Sequence, residues 1–365
     1  MLLKKILISF ELLLFSILAL PYFALAADTI PTGDLRLTTS PLPINLKVQP
    51  GATATAQLKI KNDGIATEQI KVSLMKFKSD QISGAPLLSE REQGDDFFDW
   101  VTFSQDKFEL PSNEWKTITA TFTVPETAAF GYYYAIVFSR QQENVPTADR
   151  QTVIAGGTAT LVLLEVQVPN AKKEIQVVDF SVNKSMFEFL PAVFTIKLRN
   201  TGSVHAAPRG NIFISKAGQK DAAILEVNPT KGSILPNSPR SFQETWSDAF
   251  PYYVDKQQDG KTMFDEKNNP IQELKWNFGE VSKLRWGKYT AKLLLIYDDG
   301  KRDIPVESEV SFWVIPWRII GGGIFVAIFV LIGLKNTLQN LWKKIMKMLG
   351  KEKVVPVKKT RTKKK

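Results

Sequence analysis

Apolar and polar residues alternate with a period of two along most of the sequence between its two hydrophobic ends. In TATAQLKIKN, residues 53–62, apolar side chains occupy every second position, and FTIKLRN, residues 194–200, shows the same pattern. Successive side chains of a β-strand point to opposite faces, so this period predicts strands with one buried and one solvent-facing side. Such strands are typical of antiparallel sheets. No segment between residues 27 and 312 shows a helical period over ten residues or more, and we predict an all-β protein over this range.

Three short motifs occur twice in the same order. LKIKNDG, residues 58–64, is followed by LPSN and then by FGYYYAIVF. IKLRNTG, residues 196–202, is followed by LPNS and then by WGKYTAKLLLIY. Asn-x-Gly ends a strand because glycine, and to a lesser degree asparagine, accepts a positive φ. Leu-Pro is expected just before a strand, where the missing N–H of proline costs no hydrogen bond of the sheet. The Gly that comes shortly before a Tyr in the third motif is placed like the tyrosine corner of immunoglobulin-like domains.

This repetition predicts two tandem immunoglobulin-like β-sandwich domains, at residues 28–169 and 173–313. The chain of 365 residues is long enough for two domains. The interval between the last two motifs is longer in the second copy, which predicts an insertion at about 251–281. With only a short polar joint between the domains, we expect their mutual orientation to be restricted.

The N-terminus has the pattern of a secretory signal peptide. Lys4 and Lys5 precede an apolar run, and Ala24 and Ala26 supply the small residues of a cleavage site. We predict a signal peptide at residues 1–26. An uncleaved N-terminal anchor remains the alternative.

Near the other end, a sixteen-residue run from Ile319 to Leu334 carries no charge. About 20 apolar residues are needed to cross a bilayer, and Val314 and its neighbours lengthen the run. Trp313 and Trp317 are placed to lie at the membrane interface, and Arg318 can reach the headgroups. We predict a transmembrane helix at residues 314–334.

The segment 335–365 predicts a basic cytoplasmic tail. It holds twelve Lys or Arg and one Glu, a net charge of +11, whereas the whole chain has a net charge of +10. The basic character therefore belongs to the tail and does not indicate nucleic-acid binding by the domains. Positive residues beside a span stay inside, which predicts a single-pass plasma-membrane protein with extracellular N-terminal domains. An amphipathic helix is predicted to lie on the inner leaflet and contact anionic lipid, although docking of a cytoplasmic partner remains open. Its apolar and basic residues are Leu338, Leu341, Trp342, Ile345, Lys343, Lys344 and Lys347.

Residue usage restricts the chemistry. The chain has no cysteine and one histidine, which excludes disulfides, thiolate metal sites and cysteine nucleophiles and disfavours a Ser-His-Asp triad. We predict no enzymatic activity, no metal and no cofactor. The acidic loop GDDFFDW suggests Ca²⁺ binding or glycoside chemistry, with a solvated loop as the alternative, and tyrosines can stack on sugars. The weak ligand-binding candidates are Asp95, Asp96, Asp99, Tyr132, Tyr134 and His205.

The whole pattern resembles the WxL-interacting proteins of Gram-positive bacterial surfaces. LKVQPG, LKIKNDG and TFTVPETAAFGYYYAIVF resemble their peptidoglycan-binding domain, and KLRNTG, LPNS and GKYTAKL resemble their partner-binding domain. The resemblance implies a membrane-anchored surface protein that binds cell-wall polymer or surface proteins. A structural or assembly subunit that presents a partner complex without wall binding is the alternative.

Overall fold

The computed structural model describes residues 35–80, 84–141, 157–217 and 222–348. The predicted signal peptide and the end of the basic tail lie outside these residues. The strands are β1 Leu37–Ser40, β2 Ile44–Val48, β3 Thr53–Asn62, β4 Glu68–Ser79, β5 Pro86–Ser89, β6 Val101–Phe103, β7 Lys107–Leu110, β8 Trp115–Thr123, β9 Phe130–Arg140, β10 Gly157–Val166, β11 Ile175–Val182, β12 Met186–Phe187, β13 Ala192–Asn200, β14 Arg209–Lys216, β15 Ala223–Val227, β16 Pro239–Trp246, β17 Tyr252–Asp255, β18 Gln257–Gln258, β19 Lys261–Thr262, β20 Gln272–Lys275, β21 Gly287–Asp298 and β22 Asp303–Val314. The helices are two short 3₁₀ turns, Asp96–Trp100 and Phe278–Lys283, and one long helix, α1 Trp317–Met348.

The chain divides into two compact units. The first comprises Met1–Lys76, Leu88–Glu126 and Tyr133–Leu164 as far as they are described, and the second comprises Phe77–Leu87, Thr127–Tyr132 and Glu165–Lys365. The predicted domain bounds of 28–169 and 173–313 stay predictions. The all-β character of the described residues up to Val314 agrees with the alternating sequence, apart from the two 3₁₀ turns.

The first unit holds most of two packed sheets. One has the strand order β1-β3-β8-β6, and the other has the order β2-β10-β9-β4-β5, with β7 also paired to β4. Phe122 of the first sheet and Tyr134 of the second are fully buried, and their ring centroids lie 5.5 Å apart. Their contact places a hydrophobic core between the sheets, as in a β-sandwich.

Strand β3 follows the predicted alternation, whereas β4 departs from it. Ala56, Leu58 and Ile60 are buried and the residues between them are exposed or half-buried. In β4 the alternation holds to Val72 and then breaks, so that Lys76 is buried. The reason is an ion-pair cluster, described below, that satisfies the Lys76 ammonium group inside the unit.

The second unit has the same two-layer plan. A three-stranded sheet has the order β11-β13-β16, and a five-stranded sheet has the order β12-β22-β21-β14-β15. Phe194 of β13 and Phe312 of β22 meet edge to face at 5.7 Å in a core to which both sheets contribute. Phe194, Ile196 and Leu198 are buried, as their alternation predicts.

The predicted insertion forms small structures beside this sandwich. Strands β17 and β20 pair as one two-stranded sheet, and β18 and β19 pair as another. The 3₁₀ turn Phe278–Lys283 then leads into β21. The insertion therefore consists of small paired strands and one turn, distinct from the two large sheets.

The repeated Asn-x-Gly motif makes the same hydrogen bonds in both units. Asn62 is fully buried; its Nδ2 donates to the carbonyls of Ala66 and Leu110 at 2.7 and 3.0 Å, and its Oδ1 accepts from Gly64 N at 2.9 Å. One side chain thus holds its own turn and a chain segment 48 residues away. We call this arrangement the asparagine clamp.

The second asparagine clamp repeats the first. Asn200 is also fully buried, and its Nδ2 donates to the carbonyls of Val204 and Ile234, both at 2.8 Å. Its Oδ1 accepts from Gly202 N at 2.8 Å. The motif is therefore a structural element and not a ligand site.

The second repeated motif matches at its asparagine and not at Leu-Pro. Asn113 and Asn237 both have a positive φ, of 63° and 55°, and their N–H groups donate to the carbonyls of Asn62 and Asn200, respectively. With these two residues equivalent, Leu-Pro is displaced by one position between the copies. Asparagine tolerates a left-handed backbone conformation better than most residues do. This conformation, and not the Leu-Pro sequence, defines the equivalent positions in the two units.

The C-terminal helix is apolar and exposed. Its most apolar window has a mean hydropathy of 2.2 and is 0% buried within the protein, and its length and composition suffice to cross a membrane. The predicted start at Val314 is wrong by three residues: Val314 ends β22, and the helix begins at Trp317 after Pro316. The predicted span and the predicted inner-leaflet helix form one continuous helix, since no Gly or Pro lies between Leu334 and Met348 to interrupt it.

We predict that replacing either clamp asparagine will strongly destabilise its unit. Asn62→Ala removes the side-chain donor to the Ala66 and Leu110 carbonyls, and Asn200→Ala removes the side-chain donor to the Val204 and Ile234 carbonyls. Ala66 is exposed to water and the Ile234 carbonyl keeps its bond from Ala206 N, so the main cost falls on the buried carbonyls of Leu110 and Val204. At about 1–3 kcal/mol for such a group, we expect a loss of about 1–3 kcal/mol in the free energy of unfolding for each substitution. Asn→Asp at these positions, which keeps an acceptor but removes the donor, should be no better than alanine. Urea unfolding of the detergent-solubilised chain, followed by circular dichroism, measures these changes.

The matched controls are two exposed amides, Gln57 in β3 itself and Gln176 in β11, which pairs with β13. Their replacement by alanine should change the free energy of unfolding by about 0.5 kcal/mol or less. Equal effects of the clamp and control substitutions would contradict the role of the clamp.

Candidate functional site

The acidic loop before β6 is tied to a buried lysine. Lys76 Nζ lies 2.6 Å from Asp95 Oδ2 and 2.9 Å from Glu92 Oε2, and the side chain of Lys76 is only 8% exposed. Burial alone would lower the pKa of Lys76, but the hydrogen bonds to Asp95 and Glu92 outweigh it and raise that pKa. Asp95 therefore neutralises an internal charge and is not open to a ligand in this geometry.

The other two predicted acids lie on the 3₁₀ turn Asp96–Trp100. Asp99 accepts two short hydrogen bonds from the Arg91 guanidinium, at 2.5 and 2.6 Å, and this contact lowers the pKa of Asp99. Asp96 is exposed. Among the described residues, no group of three or more His, Cys, Asp or Glu side chains is arranged to hold a metal ion.

The predicted tyrosines differ in accessibility. Tyr134 is fully buried, its hydroxyl donates to the Phe97 carbonyl at 3.0 Å, and its ring meets that of Phe97 at 5.2 Å. It is a core residue that fixes the 3₁₀ turn, so it is not available to stack on a sugar. Tyr132 is half-buried.

His205 is also internal. It is 9% exposed and lies in the loop after β13, next to Val204, whose carbonyl accepts from Asn200. This position makes it part of the second asparagine clamp region.

The structure reveals a cavity that the sequence did not suggest, where the second unit meets the first turn of α1. It has a volume of about 390 Å³. Its lining residues are Asn183, Lys184, Met186, Phe187, Glu188, Phe189, Pro191, Val193, Tyr253, Gln272, Trp317 and Arg318. Strand β12 positions the first part of this lining, because it runs parallel to the end of β22 just before the helix.

Glu188 is the central charged group of the cavity. It is 6% exposed; its Oε1 lies 3.3 Å from Arg318 Nε, and its Oε2 accepts a hydrogen bond of 3.3 Å from the Tyr253 hydroxyl. Oε1 makes no hydrogen bond of good geometry within the described part of the chain, so the Arg318 contact is an ion pair only. Burial, followed by the nearby Glu188 carboxylate, raises the pKa of Tyr253, which keeps this hydroxyl protonated as a donor at neutral pH.

The cavity joins the membrane-anchor residues to the sandwich. Trp313 N donates to the Ser185 carbonyl at 2.9 Å and Ile315 N donates to the Phe187 carbonyl at 2.7 Å. With the Glu188–Arg318 ion pair, these bonds fix the direction in which α1 leaves the second unit. The arrangement can hold a helix or a small polar group, and it contains no nucleophile paired with a base.

The remaining anchor residues lie where the sequence predicts exposure. Trp313 and Trp317 are 45% and 52% exposed, and the apolar side chains from Ile320 to Leu334 on α1 point outward. The predicted inner-leaflet residues Leu338, Leu341, Trp342 and Ile345 are exposed on the same helix. Ile319 is half-buried near the helix start.

Sequence reasoning missed Glu188 because one acid in a β-rich chain carries no distinctive spacing. A signal was nevertheless present: MFEFLP, residues 186–191, places a single acid between two phenylalanines in an otherwise apolar run. A charge in such a run is buried only with a partner. The partner Arg318 lies 130 positions away in the chain and could not be identified by local pattern.

We predict that Lys76→Met will destabilise the first unit by about 1.5–3 kcal/mol, because Asp95 and Glu92 lose a charged donor. Since the folded-state pKa of Lys76 is raised above its ordinary value of 10.5, its contribution is complete below that pH and is lost as the pH rises through the folded-state value. Urea unfolding at pH 7 and at alkaline pH measures both effects. The control is Lys71→Met at an exposed position of β4; an equal loss there would contradict the burial argument.

We further predict measurable coupling between Glu188 and Arg318. A double-mutant cycle with Glu188→Gln and Arg318→Gln should give about 1–2 kcal/mol, less than a fully buried pair because the Arg318 side chain is 63% exposed. The matched control is the Arg209–Asp303 pair, with both side chains about half exposed, for which we expect about 0.5 kcal/mol or less. Coupling of the cavity pair no larger than that of the control pair would show that Glu188 does not hold the helix.

Comparison with known proteins does not identify a family. No protein-family model matches the chain, and no curated protein sequence matches it. Among solved structures it is similar to the class 5 fimbriae chaperone CfaA, with 17% identity, 66% of this chain and 100% of that chain covered and a TM-score of 0.33. It is also similar to the CsuC–CsuE chaperone–tip adhesion subunit pre-assembly complex of Acinetobacter baumannii (12% identity, 74% and 97% covered, TM-score 0.33) and to the E. coli chaperone DraB (12% identity, 76% and 99% covered, TM-score 0.30). At these identities and TM-scores the similarities assign neither a family nor a function.

Proposed function

We propose that this chain is a non-enzymatic, membrane-anchored cell-surface protein whose two tandem immunoglobulin-like β-sandwich domains bind an envelope polymer or another surface protein. The observation that carries the proposal is the passage from β22 to α1. Only Ile315 and Pro316 separate the last strand from a 32-residue helix whose most apolar window is 0% buried. A folded β-unit is thus joined without a flexible linker to a membrane anchor.

The charge distribution supports an orientation with the β-units outside. Twelve of the 31 residues from 335 to 365 are Lys or Arg, and such residues beside a span remain in the cytoplasm. At about 1.5 Å per residue, α1 is about 48 Å long and exceeds the ~30 Å hydrocarbon core. Its polar end, which begins near Lys335, therefore extends beyond the apolar layer on the inner side.

Exposed sheet edges support a protein partner. In the described part of the second unit, β11 and β15 are each at the edge of a sheet, and their side chains Val178 and Ile224 are 54% and 57% exposed. An edge strand has unpaired backbone groups that can pair with a strand of another protein. This observation favours the alternative role, in which the protein presents or assembles a partner complex at the membrane.

Polymer binding rests on the resemblance to WxL-interacting proteins and not on a built sugar site. Three candidates of the first unit are engaged within the protein: Tyr134 is buried, and Asp95 and Asp99 are ion-paired. If the protein binds a wall polymer, the contacts are therefore made by the exposed Asp96 or by surface residues outside this set. The two partner classes can be separated by experiment.

We predict that the full chain, reconstituted in lipid nanodiscs, will co-sediment with isolated peptidoglycan or will form protein adducts when crosslinked in cells. Val178→Lys together with Ile224→Lys, which place charges on the exposed edges, should reduce protein adducts several-fold and leave wall retention unchanged. The control is Leu42→Lys, at an exposed apolar position between β1 and β2 that belongs to no strand. Protein adducts without wall retention would select the assembly role, and absence of both would contradict the proposed function.

A further inference from the structure

Large apolar side chains are exposed at one end of the second unit. Trp276, Phe278, Val281 and Trp286 are 48%, 72%, 51% and 61% exposed, respectively. All four belong to the segment between β20 and β21, which includes the 3₁₀ turn Phe278–Lys283. We call these four residues the aromatic end.

The aromatic end lies where the membrane helix begins. Trp286 immediately precedes β21, and in the sheet Gly287 pairs with Val314, the last residue of β22. The helix starts three residues later, at Trp317. An extended residue spans at most about 3.6 Å, so Trp286 lies within the length of a few residues of the point where the chain enters the bilayer.

The turn that carries Trp276 and Phe278 is fixed to the same end. Phe250 N donates to the Lys283 carbonyl at 3.0 Å, and the Phe250 ring meets those of Trp276 and Phe278 at 5.7 and 5.6 Å. Phe250 lies four residues after Trp246, the last residue of β16, and Trp246 pairs with Ala192, the first residue of β13. The turn is therefore held at the end of the sandwich where β13 begins and β16 ends.

Ion pairs brace this turn from the side of the sandwich. Asp248 contacts both Lys283 and Arg285, at 2.8 and 2.7 Å. Trp276 and Phe278 stack with their ring centroids 6.0 Å apart and an interplanar angle of 20°, so they form one apolar surface. The exposed aromatic rings are thus held in place by buried and charged contacts behind them.

The chemistry of this surface matches the interface of a bilayer. Tryptophan is enriched at the level of the headgroups because its ring is apolar and its indole N–H is polar. Lys216 Nζ lies 4.1 Å above the Trp286 ring, which places a cation beside an aromatic ring as expected at a lipid surface that carries phosphate. Trp313 and Trp317, both about half exposed, lie on either side of the passage from β22 to α1.

We propose that the aromatic end inserts into the outer-leaflet interface of the membrane that α1 crosses, so that the second unit sits on the bilayer instead of standing free of it. The proposal rests on the membrane anchoring in the proposed function. It gives the insertion at 251–281 and the residues that follow it a role: they form a second, peripheral contact with lipid. Two separated contacts, the helix and the aromatic end, restrict the tilt of the second unit relative to the membrane.

Because the chain has no native cysteine, a single fluorescent probe can be attached to one introduced cysteine of the full chain. Each labelled chain is reconstituted alone in a nanodisc of phosphatidylcholine and phosphatidylglycerol. Ser282→Cys reports on the aromatic end without removing an aromatic residue, and Thr230→Cys is a matched exposed loop position at the other end of the same unit. With lipid carrying a nitroxide near the headgroup, we expect quenching at Ser282→Cys to exceed that at Thr230→Cys by about threefold or more, because interfacial groups lie ~5–10 Å within the headgroup boundary. Equal quenching at the two positions would overturn the proposal.

A third probe separates this proposal from the anchoring on which it rests. Ile328→Cys, in the middle of α1, should be quenched by lipid labelled deep in the acyl chain; loss of that signal would indicate that the helix does not span. A quenched Ile328→Cys with an unquenched Ser282→Cys rejects the aromatic contact alone.

Removal of the aromatic pair tests which residues make the contact. In the Ser282→Cys background, Trp276→Ala with Phe278→Ala should lower quenching to the Thr230→Cys level, whereas Trp115→Ala, at an exposed tryptophan of the first unit, should not change it. Circular dichroism and quenching at Ile328→Cys confirm that the variants remain folded and inserted. Undiminished quenching in the double variant would overturn the assignment of the contact to Trp276 and Phe278.

Discussion

A single buried asparagine in each unit satisfies backbone groups from two distant parts of the chain. Asn62 and Asn200 each donate to two carbonyls and accept from one N–H, and the same backbone bond from Asn113 or Asn237 accompanies each of them. A β-strand that ends inside a protein leaves polar groups that must find partners away from water. Because one side chain supplies these partners, the strand can end, the chain can turn and the next segment can cross over without opening the core. The two units share this solution although their loops and insertions differ.

In the second unit, the end opposite the asparagine clamp has a different role. There β22 leads into α1, Glu188 pairs with Arg318, and the exposed Trp286 precedes Gly287, which pairs with the last residue of β22. Each feature has a structural explanation by itself, but together they fit one physical setting, a protein surface that faces a lipid interface. The asparagine clamp stabilises the end remote from the helix, and the cavity around Glu188 orients the helix. This division leaves the sheet edges and the loops of both units for partners.

Local periodicity predicted the strands well, because burial alternates in β3 and β13 as the sequence does. Periodicity could not predict where the alternation would fail. Lys76 is buried because Glu92 and Asp95, 16 and 19 residues later in the chain, neutralise it. The repeated Asn-x-Gly motifs correctly indicated two units with related structure. Alignment of the two copies by Leu-Pro is displaced by one residue, because the equivalent positions are those of the left-handed Asn113 and Asn237. Tyr134 was a plausible ligand contact by residue type and is a core residue in the fold. The Glu188–Arg318 pair and the aromatic end depend on long-range pairing that no short motif records.

The central claim is that the β-units lie outside the membrane and the basic tail lies inside. The most direct measurement is labelling of single cysteines with a membrane-impermeant maleimide in intact cells, with Thr230→Cys in the second unit and Thr360→Cys in the tail. We predict that Thr230→Cys reacts in intact cells, whereas Thr360→Cys reacts only after the membrane is permeabilised. Labelling of Thr360→Cys in intact cells, or protection of Thr230→Cys, would contradict the account.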